Sequence, residues 1–460
     1  MYFQNKLDTG LIIISIFILS ITLPSFIGGQ SLEQTTSKGL RMSLVKDQSM
    51  LFNHAEIVVY YSEIKDPTVP YLTLMNIFDD QINDPQSGLL NTLFKMGNDF
   101  KLEYNIDHFI IKINFLPSDT NLFVSFLKGL FSYRGFSLKK FNYSTKNFWK
   151  LFRRNDNWKK VIAAQIAFSN IFNQDHPGQF LVTDRNPRRL NLSHTRSFYK
   201  YNYTLPNSYI TIRGDIKPYF VFGLIEKAFK NFKSLKPGYQ NFKYSRFNPD
   251  RKVIIVDDGT NGTPNIYWVD PIAPAGNIGH YHAQVVNNLL FGYPLGRISR
   301  NASAAGIKGF NISSKIHNHR DISIVCRKIR IGYRDIEKFI FIADNNISKL
   351  GVGRVSRKEY LDNYNFVFHK GNIDLDDYSQ KASDQITRSF KSSSNILTGN
   401  SQDKLLKELS YSNFTNILSD PSGSYSSNRN RKKGIIVIFG DAETIKRSLR
   451  NIKPEVITIR

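Results

Sequence analysis

Two pairs of histidines have the spacing that comes closest to a metal site. His280 and His282 are separated by one residue, as are His317 and His319. On a β-strand this spacing places both imidazoles on one face, so the two pairs could supply the four nitrogen ligands of a Zn²⁺ site. The first pair, however, falls at the start of a predicted helix, where the same spacing turns the side chains apart. We therefore expect solvent-exposed or helix-capping histidines at both pairs.

The rest of the sequence offers little for catalysis. It contains no nucleophile-elbow serine motif, no phosphate-binding P-loop and no glycine pattern of a dinucleotide site. The single cysteine, Cys326, lies in the apolar run DISIVC. A lone cysteine excludes an intrachain disulfide, and its surroundings predict a buried structural thiol.

The chain is strongly basic. Its 460 residues include 62 basic and 38 acidic side chains, for a formal charge of +24. The lysines and arginines are spread along the whole chain, and no nucleic-acid-binding motif accompanies them. We expect a basic surface and no nucleic-acid partner.

An apolar run of thirteen residues, Leu11 to Leu23, follows Lys6 near the N-terminus. A membrane-spanning helix needs about 20 apolar residues, so this length is typical of a secretory signal. Asp8 weakens the basic start of such a signal, which keeps an uncleaved anchor as the alternative. Residues 1–30 are thus predicted as a signal peptide or an N-terminal anchor. We expect export to a periplasmic or extracellular location, with membrane contact only if this segment stays attached.

Strand and helix signals occur twice in the same order. The segments YITIRGD and GIIVIFGD each end a predicted strand with Gly-Asp, at Gly214 and Gly440, and a predicted helix follows each. The two pairs lie 226 residues apart, a period that predicts two homologous domains. We place the first domain at 31–236, a linker at 237–252 and the second domain at 253–460.

Seven segments stand in a particular order between Gly39 and the C-terminus. They read GLRMSLVKD, NIDHFIIKINF, QDHPGQF, FYKYNYTLPNSYITIRGDIKP, KVIIVDDGTNGTPNIYWVDP, HYHAQVVNNLLFGYPLGRIS and IIVIFGD. This order resembles the pitrilysin/insulinase family of metallopeptidases, which includes the mitochondrial processing peptidase. The resemblance implies an α+β fold of two homologous α/β domains, each a mostly antiparallel sheet packed with helices. In that family such a unit is half of a clamshell, so a second chain, identical or different, is expected to close a chamber.

Active members of the family bind Zn²⁺ through a His-x-x-Glu-His helix and a more distant glutamate, and the glutamate of the motif is the general base. The corresponding helix is predicted around Pro70 to Phe78, where the candidate positions hold Leu72, Thr73, Met75 and Asn76. No glutamate occurs between Glu103 and Glu226, the stretch that should hold the distal ligand. The resemblance therefore implies no catalytic residue, no metal ligand and no cofactor.

Active clamshells also bind substrate through an arginine and a tyrosine seven residues later. The matching region, GRISRNASAAGIKGF, offers Arg297 or Arg300, but Ala304 and Ile307 stand seven residues further on. The two arginines are weak substrate-contact candidates, and we expect ordinary surface residues.

The sequence thus predicts an exported, non-catalytic member of the insulinase-type family. It would act as a partner subunit or as a peptide-binding or assembly protein, in a homodimer or in a heterodimer with an active family member. One alternative is a peptidase that is active only in complex with a zinc-bearing homologous subunit. The other is a basic protein that binds the cell envelope.

Overall fold

The computed structural model describes residues 31–61, 68–78, 88–97, 100–104, 107–153, 158–172, 190–233, 251–259, 262–274, 277–319, 322–350, 355–368, 409–419 and 434–458. The predicted leader, most of the predicted linker and the QDHPGQF segment lie outside these stretches. The proposed domain boundaries at 31–236 and 253–460 stay predictions.

The first half of the chain supplies one six-stranded sheet and its helices. The strands are β1 (Ser31–Thr35), β2 (Arg41–Lys46), β3 (Asn53–Tyr60), β4 (Phe100–Tyr104), β5 (His108–Phe115) and β6 (Ser208–Gly214). The helices are α1 (Thr68–Phe78), α2 (Leu89–Lys95), α3 (Thr120–Phe131), α4 (Leu138–Arg153), α5 (Trp158–Ser169), α6 (Leu192–Asn202) and α7 (Pro218–Phe229).

The second half supplies another six-stranded sheet. Its strands are β7 (Lys252–Asp257), β8 (Asn265–Ile272), β9 (Asn311–Asn318), β10 (Ser323–Arg330), β11 (Ile435–Gly440) and β12 (Glu455–Thr458). Its helices are α8 (Ile278–Phe291), α9 (Arg297–Ala304), α10 (Ile336–Leu350), α11 (Arg357–Phe368), α12 (Tyr411–Ser419) and α13 (Ala442–Ser448).

Local sequence explains how these helices meet their sheets. On α3 the apolar residues recur at helical spacing and are fully buried: Phe123, Phe126, Leu127 and Leu130. Pro218 stands at the first position of α7, where its missing N–H costs no hydrogen bond. Helix α3 thus presents one apolar stripe to the core.

The two sheets have the same plan. Their strand orders are β1-β2-β6-β3-β5-β4 and β12-β7-β11-β8-β10-β9. Strands β2 and β6 run parallel, as do β7 and β11, and in both sheets the next three strands add antiparallel. The edge strands differ, since β1 is antiparallel to β2 whereas β12 is parallel to β7. The predicted fold of two α/β domains with mostly antiparallel sheets is confirmed.

The repeated Gly-Asp pairs mark the same place in both sheets. Gly214 ends β6 with φ 152° and Gly440 ends β11 with φ 154°. A Cβ atom at position 214 would lie only 2.7 Å from the Asn53 Cα atom, so no other residue fits without displacing β3. The close approach of two strands at this turn therefore requires glycine.

Helix α5 belongs to the first half of the chain but packs on the second sheet. Ile162, Ala163, Ile166 and Ala167 contact a layer of buried residues from β7, β8, β10 and β11. The Lys159 ammonium group also donates to the Asp258 carbonyl, at 3.1 Å. The two halves are thereby joined through a shared core. Among the described residues, no helix is both long enough and apolar enough to cross a membrane.

Candidate functional site

Helix α1 occupies the place where the family resemblance expects a zinc-binding helix. Leu72 is fully buried and packs against Phe141 and Phe148 of α4. The Thr73 hydroxyl donates to the Val69 carbonyl at 2.8 Å, and the Asn76 amide donates to the Leu72 carbonyl at 2.9 Å. These side chains are therefore engaged in packing and in hydrogen bonds to their own helix.

Met75, the remaining one of the four predicted positions, is half-buried on the same helix. A Zn²⁺ site needs imidazole, thiolate or carboxylate ligands. Leucine, threonine, methionine and asparagine at these positions do not supply such a set, so α1 does not fit the zinc ion that active members of the family bind.

A hydrogen-bonded group of polar residues closes around the end of α1. The Tyr133 hydroxyl donates to the Asn76 carbonyl at 2.9 Å and accepts from the Lys140 ammonium group at 2.9 Å. The Tyr199 hydroxyl accepts from the Tyr133 backbone N–H at 2.7 Å. Burial raises the pKa of Tyr133 to about 12, so the hydroxyl stays protonated and keeps donating at neutral pH. This arrangement fixes the end of α1.

The two candidate arginines on α9 differ in their surroundings. Arg297 is largely buried and forms a two-pronged ion pair with Glu359 of α11, in which its Nε atom lies 2.6 Å from the Oε1 atom. Arg300 is exposed and lies 4.0 Å from the same carboxylate. Because the guanidinium of Arg297 is paired with the Glu359 carboxylate, Arg300 is the one of these two arginines whose charge faces solvent.

The predicted histidine pairs do not come together. His280 and His282 lie on α8 and are buried, so the expectation of exposed histidines is wrong for this pair. His280 contacts the Ala273 carbonyl at 3.0 Å and the Gln284 amide at 2.9 Å. His282 lies among aromatic rings, with Phe414 at 5.7 Å, and the structure gives its ring nitrogens no hydrogen-bond partner in the described stretches. Burial lowers the pKa of His282 to about 4.

His319 is also buried and forms part of a cluster that joins the two halves. Its Nδ1 atom lies 3.2 Å from the Asp107 Oδ1 atom, and the Nδ1 atom of His108 lies 2.7 Å from the same oxygen. Burial opposes ionisation of Asp107, but the charge and hydrogen bonds of the two imidazoles outweigh it and hold its pKa well below the usual value. We call these three residues the interdomain cluster.

The interdomain cluster is the one group of histidines, cysteines and acids in the described stretches with the spacing of a metal site. Two ligands of a tetrahedral Zn²⁺ ion, each about 2.0 to 2.1 Å from the metal, lie roughly 3.3 Å apart. The 2.7 Å separation of His108 and Asp107 is that of a direct hydrogen bond. The cluster therefore connects the halves through direct hydrogen bonds. Sequence reasoning missed it because Asp107 and His319 are 212 residues apart.

Residues 189–362 match the family model described as the peptidase M16 inactive domain. The predicted resemblance to the pitrilysin/insulinase family is thereby confirmed. No curated protein matches the chain.

Solved structures with a similar fold cover almost the whole chain. The peptidase M16 inactive domain from Pseudomonas fluorescens has a TM-score of 0.72 at 11% identity, covering 90% of this chain and 98% of that one. An M16-like peptidase from Alicyclobacillus acidocaldarius has a TM-score of 0.71 at 10% identity, with 90% and 98% covered. A protease from Helicobacter pylori has a TM-score of 0.69 at 12% identity, with 89% and 99% covered. At such identities the likeness establishes the fold alone.

Proposed function

We propose that this chain is an exported, non-catalytic M16-type subunit that pairs with a second M16-type chain and contacts peptide in the chamber between them. The residues of α1 give the main support for the non-catalytic part of this proposal. Leu72 is part of a small apolar core, and the polar groups of Thr73 and Asn76 bind the backbone of their own helix. A helix filled in this way supports the fold and offers no ligand for zinc.

The whole sequence supports the absence of zinc hydrolysis. None of its nine histidines begins a His-x-x-Glu-His motif, and no glutamate lies between Glu103 and Glu226. The family mechanism needs two imidazoles, a distal carboxylate and a general base. Both the ligand set and the base are missing, so a single substitution would not restore the activity.

The size of the chain supports a role as one half of an assembly. It covers 98% to 99% of the similar solved chains, each of which is likewise a single polypeptide of this fold. The family resemblance implies that a chamber forms only when two such units close on each other. A second chain is therefore part of the proposed function.

A cavity on the second sheet favours an acidic peptide as ligand. It has a volume of about 460 Å³ and lies beside the start of β9, which is one of the two edge strands of this sheet among the described residues. Lys160, Lys328 and Arg330 line it together with a single acid, Asp258. An edge strand can bind an extended peptide through backbone hydrogen bonds, and this lining would attract its carboxylates.

Light scattering coupled to size-exclusion chromatography tests the pairing. We expect a dimer of the purified chain, or a complex when it is co-expressed with an M16 chain that carries His-x-x-Glu-His. A strict monomer that also fails to bind such a chain would contradict the proposal.

Cleavage of quenched fluorescent peptides tests the absence of catalysis. We expect no turnover by the purified chain, with or without added Zn²⁺. Turnover by the chain alone that a chelator abolishes would overturn the non-catalytic part. Turnover that appears only in the mixed complex, above that of the active partner alone, would favour a peptidase that needs both subunits.

A further inference from the structure

A lysine occupies the same place on both sheets, on the face turned away from the main helices, which we call the outer face. In the first sheet, Arg213 precedes the turn at Gly214 and pairs with His54 of β3. His54 in turn pairs with Asn114 of β5. Side chains two residues apart on a strand share a face, so Lys112 lies beside Asn114 on the outer face.

The same pairing in the second sheet leads to Lys328. Phe439 precedes the turn at Gly440 and pairs with Asn265 of β8, which pairs with Arg330 of β10. Lys328 stands two residues before Arg330 and is the counterpart of the first-sheet lysine. Both cations are exposed, beyond the apolar part of this face that α5 covers.

The two lysines differ in their neighbours. The Lys112 ammonium group lies 3.0 Å from Glu103 on β4 and 3.6 Å from Glu56 on β3. Strand register puts Lys315 of β9 at the counterpart of Glu103, and Tyr267 of β8 at the counterpart of Glu56. The lysine of the second sheet therefore has an ammonium group and a phenol at the positions where its counterpart has two carboxylates.

Three cations on the second sheet are consequently left without a counter-charge. We call Lys315, Lys328 and Arg330 the basic edge. All three are exposed, and in the stretches that the structure describes no carboxylate lies within ion-pair distance of them. The adjoining cavity of about 460 Å³ has Lys160 as a further cation and Asp258 as its single acid. The positive charge that two glutamates neutralise on the first sheet is thus available to a ligand on the second.

We propose that the basic edge selects peptides that carry acidic side chains at alternating positions. Lys328 and Arg330 lie two residues apart on one strand, a separation of about 6.8 Å. An extended peptide presents every second side chain at the same spacing. On β9 the short side chains of Asn311 and Ser313 pair with these two cations and leave room for a ligand above them. This specificity rests on the proposed function, because it takes a peptide as the ligand.

The surroundings of the basic edge favour a peptide over a nucleic acid. β9 is an edge strand among the described residues, so its backbone can pair with an extended peptide. A single strand of nucleic acid needs exposed aromatic rings on which its bases stack. Phe439, the one aromatic residue in the described lining of the cavity, is 5% exposed. The cations and the strand edge together match an acidic peptide.

Fluorescence anisotropy with the purified full-length chain tests this specificity. The probe is a labelled peptide of eight residues that alternates glutamate with threonine, and glutamine replaces glutamate in the neutral control peptide. We expect the glutamate peptide to bind at least about tenfold more tightly at low salt, because hydrogen bonds between charged groups are stronger than neutral ones. The double variant Lys328→Gln with Arg330→Gln should remove this preference. A peptide with its four glutamates in one block should bind more weakly than the alternating one.

A second variant copies the first sheet. Lys315→Glu places a carboxylate at the counterpart of Glu103, beside Lys328, and we expect it to weaken binding of the glutamate peptide about tenfold. Lys349→Glu makes the same change of charge at an exposed position of α10, a helix of the opposite face, and should leave binding unchanged. All the substituted side chains are exposed, so the variants should fold, which circular dichroism would check.

The outcomes separate this specificity from the proposed function as a whole. Equal binding of the two peptides, or basic-edge variants that bind like the unchanged chain, would overturn the role of the basic edge and leave the peptide contact standing. Binding of neither peptide by a chain that still pairs in light scattering would overturn both. An oligonucleotide of ten thymidines that binds more tightly than the glutamate peptide would show a general polyanion site and contradict the assignment to peptides.

Discussion

The outer faces of the two sheets, turned away from the main helical layers, differ although strands β6 and β11 occupy equivalent places. The inner residues of the two strands are identical: Ile210 and Ile436, then Ile212 and Ile438. The outer residues are not: Tyr209 and Ile435, Thr211 and Val437, Arg213 and Phe439. Helix α5 covers the outer face of the second sheet, so that sheet is apolar on both sides. The neighbours of each strand thus determine its outer residues, while the shared fold determines its inner ones.

On the first sheet, part of the outer face carries charged residues. Glu56 is 1% exposed and lies 3.6 Å from the Lys112 ammonium group, which also lies 3.0 Å from Glu103. The Nε2 atom of His54 lies 3.5 Å from the same Glu56 oxygen. A smaller apolar group on the same face consists of Val58, Tyr60, Ile110 and Tyr209. Ion pairs therefore stabilise a region of the first sheet whose counterpart in the second sheet is held by apolar packing.

Removing an apolar contact of α5 should give the largest effect. We expect Ile166→Ala to lower the free energy of unfolding by about 3 kcal/mol, because Ile166 is 2% exposed in the core that α5 shares with the second sheet. Urea denaturation measures the change. The same variant should speed reaction of the Cys326 thiol, which lies in this core and whose pKa burial raises to about 11. Thr211→Ala on the outer face of the first sheet should lower the free energy of unfolding by less than about 1 kcal/mol. If Ile166→Ala and Thr211→Ala lowered it equally, the proposed difference between the two outer faces would be wrong.

Breaking the ion pairs of the first sheet should have the next largest effect. We expect Lys112→Met to cost about 2 to 3 kcal/mol, since it removes the ammonium group that lies 3.6 Å from the buried Glu56 carboxylate. Adding Glu56→Gln to this variant should recover part of the loss. Lys101→Met is the matched control, because the Lys101 side chain is 73% exposed and its removal should cost less than about 0.5 kcal/mol. If Lys112→Met unfolds at the same urea concentration as the control, the charged face contributes nothing.

Acid should affect the two halves in opposite directions, with a smaller effect. The pKa of His282 is lowered by burial to about 4, so the unfolded chain binds its proton first and stability falls as the pH drops below about 6.5. The loss should be about 2 kcal/mol between about pH 7 and pH 5. The hydrogen bond to Glu56 raises the pKa of His54 in the folded protein. The stability that protonated His54 contributes is therefore present at low pH and is lost as the pH rises through this raised pKa.

Urea denaturation at several pH values separates the two histidines. His282→Phe should flatten the loss of stability on the acid side, whereas His54→Gln should steepen it. A pH profile that neither substitution changes would show that other groups control the acid response.

Local patterns predicted the fold well and the polar interactions poorly. The periodicity of α3 and the two Gly-Asp turns are encoded by neighbouring residues, so the sequence alone indicated them. The interdomain cluster joins Asp107 to a histidine 212 residues away, and neither residue carries a local signal of the contact. The burial of His282 likewise depends on rings from α11 and α12. Spacing along the chain cannot reveal partners that only the tertiary fold brings together.

The crossing of α5 onto the second sheet also has a consequence for how the protein folds. Its partner strand β11 is made near the end of the chain, long after α5 itself. The apolar face of α5 therefore stays uncovered until the chain is almost completely synthesised. Contacts between residues so far apart in the sequence also slow folding. A chain cut between the two halves would leave the second fragment with an uncovered apolar sheet, so the halves should fold as one cooperative unit.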